Sequence, residues 1–422
     1  MANGSEPLIV VSGDSHIGPL ASQLREYCPP RLRDQFDEQM NRDRDMLNAG
    51  GFGPPEEVRR ERCKMTAGHH DIEVRLREMD RDGIAAEVMF HGSQNNEPFP
   101  FQGPPDFNFQ PTSGVDLDMA TTGAHLYNEW LADACSAAPE RLLGCMSLPM
   151  WDVEATVAEV KAAADNGLRF ANFPAGKAGI LGYEDPAWEP FWAACADLGV
   201  VLCTHSGSAD LGNVQPGPHA FPIMLVDAGG WPSRRNMTRM IFAGVFERYP
   251  GLRLMLTEQN GEWWTHQVME YDSAWTRGRP ILGDTVPRSP HEYMQQSIFI
   301  GASFIANFEA HAAVDDGFWQ NVIWGRDYPH IEGTWAYRDD REDGGETATR
   351  QHLRWAFHDV AEGPTRDMLG ENAIRVLGLD RDALSKVAAR IDAPTIDALR
   401  RPLDEIPDDG GVLAFRTIGP WS

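Results

Sequence analysis

Short apolar segments alternate with helical segments eight times along this 422-residue chain, and this alternation is the feature that most constrains the fold. The predicted strands are residues 8–11, 85–90, 142–148, 169–173, 200–204, 252–257, 298–301 and 321–325, and the predicted helices include 72–82, 153–165 and 364–370. Their continuous apolar character is typical of parallel strands buried on both faces. Eight such units predict a (β/α)8 TIM-like barrel with loop insertions and a C-terminal helical extension. An open doubly wound sheet is the alternative, but no glycine-rich nucleotide-binding motif follows any strand.

The domain organisation follows from the position of these units. We expect residues 1–379 to form the barrel, with insertions at about 20–70 and 91–118 that shape the pocket. Residues 380–422 contain one amphipathic stretch and a Gly/Pro-rich end. We predict that this tail packs on the barrel or on a partner subunit, which suggests a homo- or hetero-oligomer.

Composition and charge exclude several classes of protein. A formal net charge of −26 without clusters of Lys or Arg argues against nucleic acid as a partner. No apolar run approaches the roughly 20 residues that span a bilayer, and the N-terminus lacks the pattern of a signal peptide. The six cysteines form no Cys-x-x-Cys pair, so buried thiols in a reducing compartment are expected. These features predict a soluble, acidic, cytoplasmic protein.

Side chains that bind metals follow several of the predicted strands. Asp14 and His16 come after the first strand, His205 after the fifth, Glu258 after the sixth and Asp327 after the eighth. Barrel enzymes carry their chemistry at these carboxyl ends of the strands. Two imidazoles with two or three carboxylates suit zinc, iron or manganese, whereas magnesium and calcium prefer all-oxygen ligands. The pattern predicts a divalent transition-metal site, with one or two ions per chain.

Each of these residues also has a purely structural interpretation. His205 could be a core histidine bonded to a backbone carbonyl, and Glu258 could cap the helix that follows it. Asp327 could brace the turn before the next proline. His330, just past the last strand, could hold a carboxylate, contact substrate or lie in solvent. His70 could be a surface residue that caps the next helix.

Five motifs spread along the chain carry a family resemblance. They are Gly-Asp-Ser-His at 13–16, Arg-Leu-Arg-Glu-Met-Asp-Arg-Asp-Gly-Ile at 75–84, Thr-His-Ser-Gly at 204–207, Trp-Gly-Arg-Asp-Tyr-Pro-His at 324–330 and Gly-Glu-Asn-Ala at 370–373. Through them the chain resembles the amidohydrolase superfamily, in the branch that includes aminocarboxymuconate semialdehyde decarboxylase. The resemblance implies a distorted barrel whose divalent metal is bound by Asp14, His16, His205 and Asp327. It also implies that Asp327 handles the proton of a metal-bound water.

The sequence departs from this family pattern at three points. The first strand offers Asp-x-His where many members have His-x-His, and no lysine ends the fourth strand to bridge two metals. Glu258 stands where the decarboxylase has a catalytic histidine. Glu258 and His70 could instead complete a second metal site, as in the subgroup that holds two irons and uses oxygen.

Three functional hypotheses follow. The first is a metal-dependent hydrolase or non-oxidative decarboxylase of a small organic molecule, in which Asp327, Glu258 and His330 are the candidate catalytic residues. The second is a dinuclear iron or manganese oxygenase that hydroxylates a small amine or acid. The third is a non-catalytic partner subunit that keeps a structural metal within a hetero-oligomer.

Overall fold

The strands are buried on both faces, as the apolar sequence pattern predicts. In the computed structural model, the described residues are 4–49, 66–103, 114–210, 223, 226–227, 230–330, 332–335, 346–406 and 413–417. Their strands are β1 (Val11–Ser12), β2 (His16–Ile17), β3 (Ala86–His91), β4 (Leu142–Met146), β5 (Phe170–Asn172), β6 (Val201–His205), β7 (Arg253–Thr257), β8 (Ile298–Ser303) and β9 (Val322–Gly325). All pairs are parallel, in the order β1-β3-β4-β5-β6-β7-β8-β9, and β2 also pairs with β3.

Backbone hydrogen bonds between the first and last strands close the sheet. The amide of Gly13 donates to the carbonyl of Trp324 at 2.7 Å, and that of Asp327 donates to the carbonyl of Asp14 at 3.1 Å. The predicted (β/α)8 barrel is therefore confirmed. The first predicted strand differs in detail, because the structure has two short strands there, β1 and β2, which each pair with β3. Between them, the hydroxyl of Ser12 donates to the carbonyl of Asp14 at 2.6 Å.

Helices follow most of the strands. They are α1 (Ala21–Tyr27), α2 (Arg33–Ala49), α3 (Ile72–Asp82), α4 (Leu117–Cys135), α5 (Val153–Asp165), α6 (Glu189–Leu198), α7 (Arg235–Phe242), α8 (Val245–Arg248), α9 (Trp264–Leu282), α10 (Pro290–Ser297), α11 (Asn307–Asp315), α12 (Ala348–Phe357), α13 (Glu362–Arg366), α14 (Asn372–Leu377), α15 (Arg381–Arg390) and α16 (Ile396–Leu399). None of the helices in the described ranges has the length and apolarity needed to cross a bilayer.

Local capping explains why α3 occupies the predicted residues. The Asp71 side chain accepts a hydrogen bond from the amide of Val74 at 3.0 Å, which satisfies a free donor of the first turn. Gly83 ends the helix with a φ of 80°, in the left-handed region that glycine adopts without strain.

The helices after β9 differ from the sequence prediction. A helix was predicted over 364–370, whereas α13 ends at Arg366 and a π-helical turn covers Asp367–Glu371. Gly370 in this turn lies against the first strand, and a Cβ there would stand 2.0 Å from the Ile9 carbonyl oxygen. The widened turn brings the backbone into a contact that helical periodicity does not reveal.

The inner core links the barrel interior to the C-terminal helices. Met255, Phe299 and Ile323 belong to one apolar cluster that also contains Leu384 and Ile391, all of them buried. The segment around α15 therefore covers the end of the barrel where the strands begin. A contact of this tail with a partner subunit stays a prediction. Parts of both predicted insertions, at 50–65 and 104–113, lie outside the described residues.

Candidate metal centre

Four of the predicted ligands meet at the carboxyl ends of the strands. His16 Nε2 lies 3.5 Å from Asp14 Oδ1 and 3.2 Å from Asp327 Oδ1. His205 Nε2 lies 3.2 Å from His16 Nε2 and 3.4 Å from Asp14 Oδ1. Ligand atoms about 2.1 Å from a shared ion are about 3.4 Å apart in a tetrahedron. The spacings of Asp14, His16 and His205 therefore fit a single bound cation, and Asp327 adjoins this group through His16.

Carboxylate oxygens without donors support the same interpretation. Asp14 Oδ1 and both oxygens of Asp327 are buried and lack a hydrogen bond of good geometry from a described residue, although histidine ring nitrogens lie 3.0–3.5 Å from two of them. The other oxygen of Asp14 accepts a hydrogen bond from Ser303 Oγ at 2.5 Å. A buried acceptor left without a partner costs about 1–3 kcal/mol. A cation among these oxygens would remove that cost, so the donor set fits a divalent metal.

The two imidazoles are oriented by backbone carbonyls. His16 Nδ1 lies 3.2 Å from the carbonyl oxygen of His91, and His205 Nδ1 lies 2.8 Å from that of Ser206. A proton on each Nδ1 satisfies these carbonyls and leaves the Nε2 lone pair directed toward Asp14. This is the arrangement in which histidine usually binds a metal.

Unusual backbone conformations aim two of the carboxylates. Glu258 and Asp327 have φ values of 56° and 53°, in the left-handed region that residues other than glycine rarely adopt. Such conformations cluster at functional sites, where the surrounding structure enforces them. Gly325 contributes through its small size, because a Cβ there would stand 2.9 Å from the Cβ of Asp14.

His330 joins the centre beside the four ligands. Its ring stacks on that of His16, with centroids 3.8 Å apart, and its Nδ1 lies 3.0 Å from Asp327 Oδ1. Its Nε2 donates to the carbonyl oxygen of Gly92 at 2.8 Å. His330 is therefore a buried residue that links Asp327 to the loop after β3, and the alternative of a solvated loop histidine is wrong.

Glu258 lies on the opposite side of His205, with its Oε2 3.6 Å from Nδ1 of that ring. The 3-10 helix that follows begins with Asn260 as its N-cap, so Glu258 does not cap it. Glu258 and Asp327 form a further group with Glu332, in which one oxygen from each lies within 4.8 Å of the others. Sequence analysis missed Glu332, because it lies beyond the last strand in a segment without periodicity.

His70 is not brought to this centre. It is absent from every group of three or more metal-binding side chains among the described residues. It is half-buried in a turn whose geometry is set by its neighbours, since Gln23 donates to the His70 carbonyl and Asp71 caps α3. The expected pairing of His70 with Glu258 at a second ion therefore stays a prediction that no such group of described residues supports.

Burial and mutual charge shift the pKa values of these groups in opposite directions. Burial, with the neighbouring His330 and His205, lowers the pKa of His16. Burial acts in the same sense on His205, but Asp14 and Glu258 raise the pKa of that ring to about 9. Burial raises the pKa of Glu258 to about 7 and that of Asp327 well above its usual value. Divergent shifts of this kind are typical of functional sites.

A buried ionic network contacts the backbone of the metal centre. Arg75 donates to Glu87 Oε1 at 2.5 Å and to the carbonyl oxygen of His16 at 2.7 Å. Arg326, next to Asp327, donates to Glu87 Oε2 at 2.7 Å. The sequence analysis did not identify Glu87, although a single acidic residue inside an otherwise apolar strand indicates a buried ion pair.

Known proteins share this fold. A sequence profile of the amidohydrolase family matches residues 72–379. The 2-amino-3-carboxymuconate-6-semialdehyde decarboxylase of Dictyostelium discoideum is 25% identical over 319 residues, covering 74% of this chain and 77% of that protein. The structure of 5-carboxyvanillate decarboxylase from Novosphingobium aromaticivorans, complexed with manganese and 4-hydroxy-3-methoxy-5-nitrobenzoic acid, aligns with a TM-score of 0.61 at 19% identity, over 90% of this chain and 98% of that one. An amidohydrolase from Mycobacterium avium subsp. paratuberculosis aligns with a TM-score of 0.64 at 16% identity, over 89% and 100% of the two chains.

Proposed function

This chain belongs to the amidohydrolase family, and from that premise we propose that it is a metal-dependent enzyme that decarboxylates a small organic acid without oxidation. The observation that carries the proposal is the buried group of Asp14, His16 and His205, which Asp327 adjoins with its Oδ1 3.2 Å from His16 Nε2. A decarboxylase among the relatives that cover most of this chain supports the choice of reaction over hydrolysis.

The four converging side chains would hold the metal. A divalent cation bound there would act as a Lewis acid for the substrate carboxylate or lower the pKa of a bound water. Asp327 is the residue we assign to proton transfer, because its buried carboxylate adjoins the candidate ligand His16, with Oδ1 3.2 Å from Nε2. His330 would keep the Asp327 carboxylate in place through its Nδ1, 3.0 Å away. Glu258, beside His205, would face the substrate where the related decarboxylase has a histidine.

We propose manganese as the metal and an unsaturated or aromatic carboxylic acid as the substrate. The manganese-containing structure of 5-carboxyvanillate decarboxylase supports the metal. The names of that enzyme and of the Dictyostelium decarboxylase both describe unsaturated acids. Release of carbon dioxide from a panel of such acids by the manganese-loaded protein tests both points, and no release from any of them would count against decarboxylation.

Metal analysis of a ligand variant tests the site itself. His205→Ala should lose most of the bound metal, together with turnover, while its circular dichroism spectrum stays that of the wild type. The matched control is His311→Ala, because His311 is an exposed histidine that pairs with Asp359 at 2.9 Å. Unchanged metal content in His205→Ala would show that the ligand set is wrong. Bound metal without turnover on any acid would support the non-catalytic partner subunit.

One observation favours a second candidate function, the dinuclear iron or manganese oxygenase. Glu258, Asp327 and Glu332 could hold a second ion, since their oxygens lie within 4.8 Å of one another and Asp327 is common to both groups. Three carboxylates and no further imidazole suit iron or manganese better than a soft metal. This candidate differs from the earlier expectation in using Glu332 in place of His70.

Counting metals separates the two candidates. A dinuclear site predicts two ions per chain, a fall to one in Glu332→Gln, and oxygen uptake with a small amine or acid. A mononuclear site predicts one ion in both proteins. The control is Glu371→Gln, which changes an acid that pairs with Arg381 at the surface.

A further inference from the structure

Four buried hydrogen-bond donors without acceptors surround the segment that follows β7. They are Arg234 Nε, Gln259 Nε2, Asn260 Nδ2 and Trp263 Nε1. Arg234 Nη1 donates to Gln259 Oε1 at 3.2 Å, and the guanidinium lies 4.7 Å from the centroid of the Trp263 ring. Buried polar groups in native proteins are almost always hydrogen-bonded. Because no described residue serves as the acceptor, this group points to one that comes from a ligand.

The charge of Arg234 makes the ligand an anion. The residue is 7% exposed, and no carboxylate in the described part of the chain forms an ion pair with it. The other large buried arginines are different, since Arg75 and Arg326 both pair with Glu87. Burial lowers the pKa of Arg234 to about 10, so the group stays cationic at neutral pH. A buried cation normally has an anionic partner.

The location of this group places it next to the metal centre. Gln259 directly follows Glu258, and Asn236, two residues after Arg234, donates to the hydroxyl of Thr204, which precedes His205. The donors therefore lie at the carboxyl ends of β6 and β7, the same end of the barrel that carries the metal ligands. The two regions therefore share one end of the barrel.

We propose that Arg234, Gln259, Asn260 and Trp263 form a subsite that binds a carboxylate of the substrate, apart from the group held at the metal centre. A planar guanidinium with neighbouring amide and indole N–H groups presents several donors to the two oxygens of a carboxylate. The inference rests on the proposed function and extends it, because it makes the preferred substrate an acid with a second anionic group.

Ligand-observed NMR titration of the full-length holoprotein tests the subsite, with benzoate as the probe and benzamide as its uncharged counterpart. Arg234→Gln should weaken benzoate binding about 10- to 100-fold, the usual range for a charged hydrogen bond, and leave benzamide binding unchanged. The matched control is Arg279→Gln, because Arg279 also stacks on a tryptophan, 4.9 Å from the Trp275 ring, but on an exposed part of α9. Equal benzoate affinity in Arg234→Gln and wild type would overturn the proposal.

A second variant keeps Arg234 and tests the same point. Gln259→Glu should place an internal carboxylate beside the guanidinium, because Gln259 Oε1 already lies 3.2 Å from Arg234 Nη1. Benzoate binding is then lost while the thermal unfolding midpoint is maintained or raised. Full benzoate affinity in this variant would also overturn the proposal. The titration is repeated in His205→Ala, where the Arg234-dependent part of benzoate binding should persist. The titration of His205→Ala distinguishes failure of the subsite proposal from failure of the proposed function. A protein without decarboxylase activity would still bind benzoate through Arg234.

Discussion

At the scale of single residues, the metal centre depends on side chains whose positions are set by their strands. The positions of Asp14, His16, His205 and Asp327 at one rim were predictable, because each directly follows an apolar strand and parallel strands of a barrel end at the same rim. That of His70 was not, because no strand fixes its position. Contacts between distant segments decide whether a loop side chain reaches the rim. The local sequence does not encode these contacts.

A glycine next to the ligands gives a prediction at this scale. Gly325→Ala should lower metal affinity and destabilise the fold by about 1–3 kcal/mol, the usual cost of overpacking, because the added Cβ would stand 2.9 Å from the Cβ of Asp14. Metal titration and thermal unfolding measure the two effects. Gly363→Ala is the control, since nothing lies within 4 Å of a Cβ there. Equal metal affinity in both variants would contradict the role given to Gly325.

At the scale of secondary-structure elements, periodicity and capping predict much of the fold. The predicted helices at 72–82 and 153–165 have the observed bounds of α3 and α5, because a capping aspartate precedes each. The π-helical turn at Asp367–Glu371 was not predictable, since it depends on a contact with the first strand. The ionic network that joins α3, β3 and the end of β9 was not predictable either, because it depends on contacts between separate elements.

Removal of the charge at the centre of that network tests its contribution. Glu87→Gln should lower the free energy of unfolding by about 3–5 kcal/mol, because it leaves two buried arginines without their shared carboxylate. Chemical denaturation of both proteins measures the difference. Glu371→Gln, at an exposed pair with Arg381, should have a much smaller effect. Similar losses in the two variants would mean that the buried network adds no specific stability.

The same network predicts a pH dependence. Burial alone would raise the pKa of Glu87, but Arg326 and Arg75 lower it below the usual value of 4.5. A lowered folded pKa means that Glu87 binds protons less readily in the folded than in the unfolded state. Its stabilisation is therefore fully present above pH 4.5 and is lost as the pH falls through the folded value. The stability difference between wild type and Glu87→Gln should shrink in that acidic range, and a constant difference would contradict the assignment.

At the scale of the whole molecule, the two ends of the barrel have separate tasks. The metal centre occupies the carboxyl ends of the strands, whereas the helices after residue 379 cover the opposite end through Leu384 and Ile391. The alternation of strands and helices predicted the barrel itself. The sequence pattern could not show which end of the barrel the tail covers. An amphipathic helix indicates that it packs against an apolar surface, but the pattern does not identify that surface.

Separation of the two ends predicts that stability and metal binding respond independently. Leu384→Ala should destabilise the protein by about 2–5 kcal/mol, as usual for a fully buried leucine, and leave the metal content of the folded protein unchanged. Ile281→Ala is the control, because Ile281 is 91% exposed. Thermal unfolding and elemental analysis of the same samples test this, and loss of metal from folded Leu384→Ala would refute the separation.

Closure of the barrel between its first and last strands has a consequence for biosynthesis. Asp14 and His16 leave the ribosome early, but Asp327, whose Oδ1 lies 3.2 Å from His16 Nε2, is among the last barrel residues to be translated. A nascent polypeptide that stops before β9 therefore has an incomplete coordination shell. Completion of the candidate site must follow translation of nearly the whole barrel, although the group of Asp14, His16 and His205 is already translated by mid-chain.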